Sequence, residues 1–159
     1  MFVLDTDHLG IFQRQTEPEF TRLLRRLSDF EPTDFWVTIV SFHEQVNGWN
    51  AYLSRARNLS GVVRAYRMFQ DILADFASLQ VLPFDGAAAE VFASLRSQRI
   101  RVSTMDLRIG SVTIARGYRL LTRNVSDFAR IPGLVSEDWT RGEKGDKGRK
   151  GGEKGDKSN

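Results

Sequence analysis

Apolar and polar positions fall in blocks along this chain, and the period of the blocks switches in a way that marks strands and helices in turn. Phe2-Val3-Leu4 is a short unbroken apolar run stopped by Asp5, and Trp36-Val37-Thr38-Ile39-Val40 is a β-branched run that stops before Ser41. Runs of this length without a polar face predict strands buried on both sides, as in a parallel sheet. Between them Leu23, Leu24, Leu27 and Phe30 recur at three- and four-residue steps from a start near Glu17-Pro18. With Arg22, Arg25 and Arg26 on the other side, this stretch predicts an amphipathic helix.

Ser41 and Glu44 have the spacing of a capping box, so a helix is expected from there through Val46 toward Leu53. A longer helix is expected over 62–79, with Val62, Tyr66, Phe69, Leu73 and Phe76 on one face; a break near 58–61 makes the two a helical hairpin. Val81-Leu82-Pro83-Phe84 returns to extended form, and Asp85 caps an alanine-rich helix running through Leu95. The next helix is expected to begin at Asp106 and to stop at Arg116-Gly117, with Tyr118 to Thr122 as the following buried strand. Its small residues Gly110, Ser111 and Ala115 would let it pack closely. Strand, helix and strand repeated in this way predict a three-layer α/β/α fold around a central parallel sheet.

Composition adds a boundary. The chain has 159 residues, 41% of them hydrophobic, enough for one core and one domain. Residues 1–140 carry 16 arginines and 16 acids, so the excess of positive charge behind the pI near 9.5 sits in residues 141–159, which hold seven basic and four acidic residues. All five lysines and six of the thirteen glycines lie there, without one apolar side chain. A segment with nothing to bury is expected to stay disordered, which divides the chain into a folded domain, 1–140, and a Gly/Lys-rich tail, 141–159. Its glycine triplets break phase at Gly151-Gly152 and contain no proline, which excludes a collagen helix. The absence of cysteine excludes disulfides and thiolate metal sites. No basic start precedes an apolar core at the N-terminus, and no run of eighteen apolar residues occurs, so a cytoplasmic protein without a membrane span is expected.

Four polar residues then stand out by position. Asp5 ends the first strand, Glu44 follows the second, Asp106 opens a helix, and Asn124 follows Leu120-Leu121-Thr122-Arg123. In an open α/β sheet, groups beyond the carboxyl ends of the strands converge on one crevice. Three carboxylates meeting there would make a site for a hard cation such as Mg²⁺, with Asp5 and Asp106 as direct ligands and Glu44 binding through water or a second ion. Asp7, Thr6 and Thr122 are candidates for orienting those ligands, and Arg108, Arg123 and Arg130 for clamping phosphates. Zinc protease chemistry is excluded, because His43-Glu44 continues into Gln45-Val46-Asn47 with no second histidine. Aspartyl-phosphate chemistry is disfavoured, because Leu9 stands where a small hydroxylic residue is required and the domain has no lysine.

Phe2-Val3-Leu4-Asp5-Thr6-Asp7, Ser41-Phe42-His43-Glu44, Met105-Asp106-Leu107-Arg108-Ile109-Gly110-Ser111 and Leu120-Leu121-Thr122-Arg123-Asn124-Val125-Ser126-Asp127-Phe128, taken together, resemble PIN-domain ribonucleases of the VapC toxin family of type II toxin-antitoxin systems. The likeness extends over about residues 1–139 and includes Glu137-Asp138-Trp139. It implies a Mg²⁺- or Mn²⁺-dependent endoribonuclease, silenced by a cognate antitoxin and forming a homodimer. By this likeness the catalytic residues are Asp5, Glu44, Asp106 and Asn124, with the metal on Asp5, Asp106 and Glu44. Asn124 departs from the family's fourth acid and supplies no charge, and Asp127 is the residue that would compensate. That departure motivates the competing expectation of a catalytically weakened module that binds RNA or a protein. An antitoxin is expected to place a basic residue in the acidic cleft and to use apolar surface of the hairpin between Trp49 and Phe76.

Overall fold

Strand β1 (Phe2–Leu4) ends at Asp5, whose extended backbone and carboxylate cap α1 (Thr6–Arg14). The sequence pattern did not announce α1, because its buried residues, His8 to Ile11, are a single turn that follows Asp5-Thr6-Asp7. Gln15, in the left-handed region, closes it, and α2 (Glu19–Leu27) follows with Leu23 fully buried, as the three- and four-residue spacing predicts. A 3₁₀ turn at Pro32–Asp34 leads into β2 (Phe35–Thr38). The computed structural model that carries these elements describes residues 1–142, so from residue 143 onward the expectation for the tail lies outside the described residues.

Helix α3 (Ile39–Arg55) begins two residues before the expected start. Thr38 is its N-cap, accepting the Ser41 N–H at 3.0 Å, so Ser41 and Glu44 do not form the capping box. Glu44 is thereby left on the second turn with its carboxylate free for other partners. Asn58 caps α4 (Leu59–Ser78), and α3 and α4 pack as the expected hairpin. The buried face of α4 is Ala65, Ile72 and Phe76, whereas Leu59, Val63, Tyr66 and Leu73 form an exposed apolar stripe. Tyr66 and Leu73 are thus on the outside, one helical step from the face assigned to them by periodicity.

Strand β3 (Val81–Leu82) precedes α5 (Gly86–Ser97), which Asp85 caps as expected. Helix α6 (Thr104–Arg116) is capped by Ser103, and Asp106 stands in its first turn, not at the cap. Gly117, at φ 66°, ends α6 in the left-handed conformation that favours glycine. Strand β4 (Arg119–Leu121), the single-turn α7 (Val125–Phe128) and β5 (Ser136–Glu137) complete the chain. The polar pair Ser136-Glu137 has no strand signal of its own and is recruited by pairing with β4.

All pairings are parallel, in the order β3-β2-β1-β4-β5, so β1 is the central strand. Alternation along the strands splits the core in two. Val3 and Leu120 face a cluster with Leu95, Leu107, Ile109 and Val112 from α5 and α6. Phe2, Leu4 and Leu121 face the opposite cluster, with Leu9, Leu23, Ile72 and Phe76 from α1, α2 and α4. This is the expected three-layer α/β/α arrangement around a parallel sheet. Close packing of α6 depends on Gly110, where an added Cβ would stand 2.9 Å from Ile131 Cδ1 and 3.4 Å from Leu134 Cδ2. Replacing Gly110 with valine is expected to overpack this contact and to destabilise the domain by about 1–3 kcal/mol, read as a lower urea midpoint.

Candidate active site

The carboxyl edge of β1 and β4 supplies the centre of the site. The Asp5 N–H still donates to Leu121 O at 2.9 Å, so the residue is held by the sheet ladder while its side chain projects past the strand end. Asp5 is only 7% exposed, with Oδ1 accepting the Thr6 N–H and Oδ2 the Thr122 hydroxyl, both at 2.8 Å. Burial, reinforced by the charges of Asp7 and, to a smaller extent, Glu44, pushes its pKa up to about 7 against the opposing pull of the Thr122 and Thr6 bonds. An acid so raised is first of all one that burial discourages from ionising, with the neighbouring acids adding to the effect.

Thr6 ties α1 to α3. Its N–H serves Asp5 and its hydroxyl donates to Glu44 Oε2, bringing residues 38 positions apart in the sequence to one point. Thr122 plays the same part for β4, donating to Asp5 and accepting the Asn124 N–H at 3.1 Å. The Asn124 amide turns to Asp127, with Nδ2 donating to Oδ2 at 3.1 Å. Asn124 and Asp127 are therefore joined, the amide donating to one carboxylate oxygen while Arg130 lies 3.4 Å from the other. Replacing Thr122 with valine strips the buried Asp5 carboxylate of a donor and unties Asn124. The expected result is a loss of about 1–3 kcal/mol of stability in urea unfolding.

Asp7 anchors the rim. Oδ1 is 2.9 Å from His8 Nδ1, and Oδ2 accepts the Arg123 N–H at 2.7 Å. His8 is fully buried and accepts the Trp139 N–H at Nε2, 3.3 Å away, so its proton sits on Nδ1 and points to Asp7. This histidine was not legible as a site residue, since its only signal would have been its place on the inner face of α1. Asp138 lies 3.8 Å from His8 Nε2. Burial raises its pKa, but bonds from the Thr140 hydroxyl and N–H, aided by Arg141, outweigh this and hold it below the ordinary value.

Asp5, Glu44 and Asn124 are thus joined through two threonines, while Asp106 stands apart. Its N–H caps onto Ser103 at 3.0 Å, and among the described residues its carboxylate takes no hydrogen bond or ion pair. It is carried on α6, which packs against the α3 that bears Glu44. Among the described residues no group of three histidine or acidic side chains stands close enough to enclose an ion. Of the three arginines considered for phosphate contacts, Arg108 lies over the Phe92 ring and Arg130 pairs with Asp127 at 3.4 Å, leaving Arg123 on the wall of the cleft.

The donors nonetheless suit a hard cation. They are all oxygens, the Glu44 charge acts on Asp5, and both histidines have other partners, His8 with Asp7 and His43 with Asn47. Mg²⁺ keeps several waters and takes only one or two protein carboxylates, so a closed cage of three is not required.

No family model matches the chain. Among curated proteins it is similar to the tRNA(fMet)-specific endonuclease VapC of Salmonella typhimurium, with 28% identity over 142 residues, 87% of this chain and 97% of the relative. Among solved structures it is similar to DNA-bound VapBC from Salmonella typhimurium, with TM-score 0.67 and 23% identity over 87% of this chain and 97% of the other. VapBC2 from Rickettsia felis bound to a promoter DNA fragment gives TM-score 0.65 and 21% identity over 87% and 98%. A five-stranded parallel sheet of this order, with acids gathered past the end of its central strand, defines a PIN-domain architecture. Over nearly its whole described length the chain is thus similar in sequence to a VapC endonuclease and in fold to VapBC toxin-antitoxin proteins. Among the described residues no helix is long and apolar enough to cross a membrane.

Proposed function

We propose that the protein is a divalent-metal-dependent endoribonuclease that hydrolyses RNA phosphodiester bonds and is neutralised by a cognate antitoxin. The observation that carries this reading is Asp5, a buried carboxylate at the end of the central strand, tied through Thr6 to Glu44 and through Thr122 to the Asn124 turn, with the acid Asp7 beside it. Such a cluster of acids favours a cation, and Mg²⁺ or Mn²⁺ there would neutralise charge on the phosphoryl group and make a bound water more acidic. The residues that would hold it are Asp5 and Glu44, with Asp106 on α6 standing apart and reaching the ion through water.

The chain's own groups do the rest. Thr122 and the Thr6 N–H fix the orientation of the Asp5 carboxylate, and the Thr6 hydroxyl fixes that of Glu44. The half-buried Glu44 would assist in taking a proton from the attacking water. Asn124 contributes an amide carbonyl at the rim without charge, its Nδ2 being spent on Asp127.

Support for a protein partner comes from the exposed stripe Leu59, Val63, Tyr66 and Leu73 on α4, apolar surface of the kind a folded domain ordinarily covers. The antitoxin would cover this hairpin surface and set a basic side chain against the acids. The name of the Salmonella relative gives tRNA(fMet) as its target, and we extend the ribonuclease class, not that target, to this chain. The test is cleavage of RNA by the purified protein with Mg²⁺ or Mn²⁺. Cleavage is expected to stop with EDTA and in the Asp5→Asn variant, and cleavage unchanged in that variant overturns the assignment. Without cleavage in either form, retained RNA binding would favour the weakened binding module that Asn124 suggested.

A further inference from the structure

Beside the acid cluster lies a pocket of about 640 Å³, lined by Asp7, Glu19, Arg22, Arg123, Asn124, Asp138, Thr140, Arg141 and Gly142. It shares Asp7 and Asn124 with the rim of the candidate site and opens toward α2 and the chain segment after β5. Its charge is mixed on paper, with three acids and three arginines. The hydrogen bonds change that balance.

Two of the acids are engaged by the protein; the third, Glu19 on the first turn of α2, has a carboxylate that makes no hydrogen bond or ion pair among the described residues and offsets one of the arginines. Asp138 takes the Thr140 hydroxyl and N–H on Oδ1, at 2.6 and 2.9 Å, and Arg141 on Oδ2 at 2.8 Å. Asp7 is held by His8 and by the Arg123 N–H. Arg141 is spent in the pair with Asp138. Arg22 and Arg123 are different: among the described residues neither guanidinium is within ion-pair distance of a carboxylate, and the nearest acceptor of Arg22 is the Thr140 carbonyl, at 3.5 Å. Both are exposed, one from α2 and one from the β4–α7 turn, and they line the same pocket.

From this geometry we infer that the pocket is a subsite for a phosphate of single-stranded RNA adjoining the bond to be cut, held by Arg22 and Arg123. The inference rests on the ribonuclease reading and adds where the strand runs. Asp7 Oδ2 lies 3.5 Å from the Thr122 hydroxyl that donates to Asp5, so the pocket wall is one side chain away from the reacting centre. Two guanidiniums lining that pocket, neither paired with a carboxylate among the described residues, suit a backbone phosphate next to the one under attack, since guanidinium pairs with phosphate by parallel N–H bonds. Phosphate contacts of this kind set the register of a strand without reading its bases.

The test uses a mixed-sequence single-stranded oligoribonucleotide and the full chain, as wild type, Arg22→Ala, Arg123→Ala and Arg22→Lys, with thermal midpoints measured alongside. In Mg²⁺, each alanine variant is expected to raise KM for cleavage by about tenfold, the worth of one charge-assisted bond, with kcat within about twofold. Arg22→Lys is expected to recover part of the loss. In EDTA, binding of the same oligonucleotide by fluorescence anisotropy is expected to lose about 0.7 from its slope of log affinity against log salt in each alanine variant. A dinucleotide with a single phosphodiester, which has no neighbouring phosphate, is expected to be cut alike by all forms. Unchanged KM and salt slope in both alanine variants, with wild type still cutting, overturn the subsite and leave the ribonuclease reading standing. Weakened antitoxin binding with RNA binding intact would assign the pocket to the protein partner and overturn it equally. A wild type that neither cuts nor binds RNA defeats the ribonuclease reading itself, and the subsite with it.

Discussion

Replacing Asp5 with asparagine is expected to abolish RNA cleavage and, at the same time, to make the protein more stable above neutral pH. The loss of activity follows from the position of the carboxylate: without its charge the pocket no longer favours a divalent ion, and a fall of roughly 10³-fold or more in kcat is expected. The gain in stability follows from linkage. A carboxyl raised from 3.8 to about 7 keeps its proton in the folded state through the range where the unfolded chain has lost it. Folding stability therefore falls as pH rises from about 4 to about 7, and the full cost is present above that. Three units correspond to an upper bound of about 4 kcal/mol.

Asparagine removes the charge and can keep the geometry. Its carbonyl accepts the Thr6 N–H, for which asparagine is as good a cap as aspartate, and its amide donates to Thr122 Oγ1, whose proton is then free to turn to Asp7. Chemical denaturation in EDTA at pH 8 is expected to place Asp5→Asn about 2 kcal/mol or more above wild type, with the difference gone near pH 4. Equal stabilities at pH 8 would mean that the pocket is not an electrostatically costly one.

Asp106→Asn is expected to lose activity by roughly 100-fold or more without that stability gain. Asp106 is half-buried on the first turn of α6, and its carboxylate carries no partner that folding would miss. Loss of its favourable interaction with the helix N-terminus is worth only about 0.3–1 kcal/mol in the opposite direction. Kinetics and urea unfolding of this variant thus separate a residue held for chemistry from one held for structure. Full activity in Asp106→Asn would confine the site to Asp5, Glu44 and Asp7.

The contrast between these two acids reflects what the sequence could and could not convey. Phe2-Val3-Leu4 and Leu120-Leu121 were legible as strands because burial on both faces leaves an unbroken apolar run, and Gly117 was legible as a stop because only its φ demands glycine. Asp5, Glu44 and Asn124 were legible as a set from their places past strand ends, and two threonines tie them together. Other features depended on tertiary partners. Helix α1 draws its burial from the sheet, β5 its pairing from β4, and the outer face of α4 mimics a core stripe. Thr38 displaced Ser41 as the cap because capping depends on where the strand ends, which propensity fixes only to within a turn. His8 was invisible for the same reason as α1, although it joins Trp139 to Asp7 across the domain.

The most direct test of the central claim is calorimetric titration of the RNA-free protein with Mg²⁺ and Mn²⁺ at pH 7, in two buffers of different ionisation enthalpy. A cation seated on Asp5 must displace the proton that this carboxyl holds about half of the time at that pH, so release of about half a proton per ion is expected, and none from Asp5→Asn. No binding at millimolar ion, or binding of equal strength and proton count in Asp5→Asn, would contradict the account.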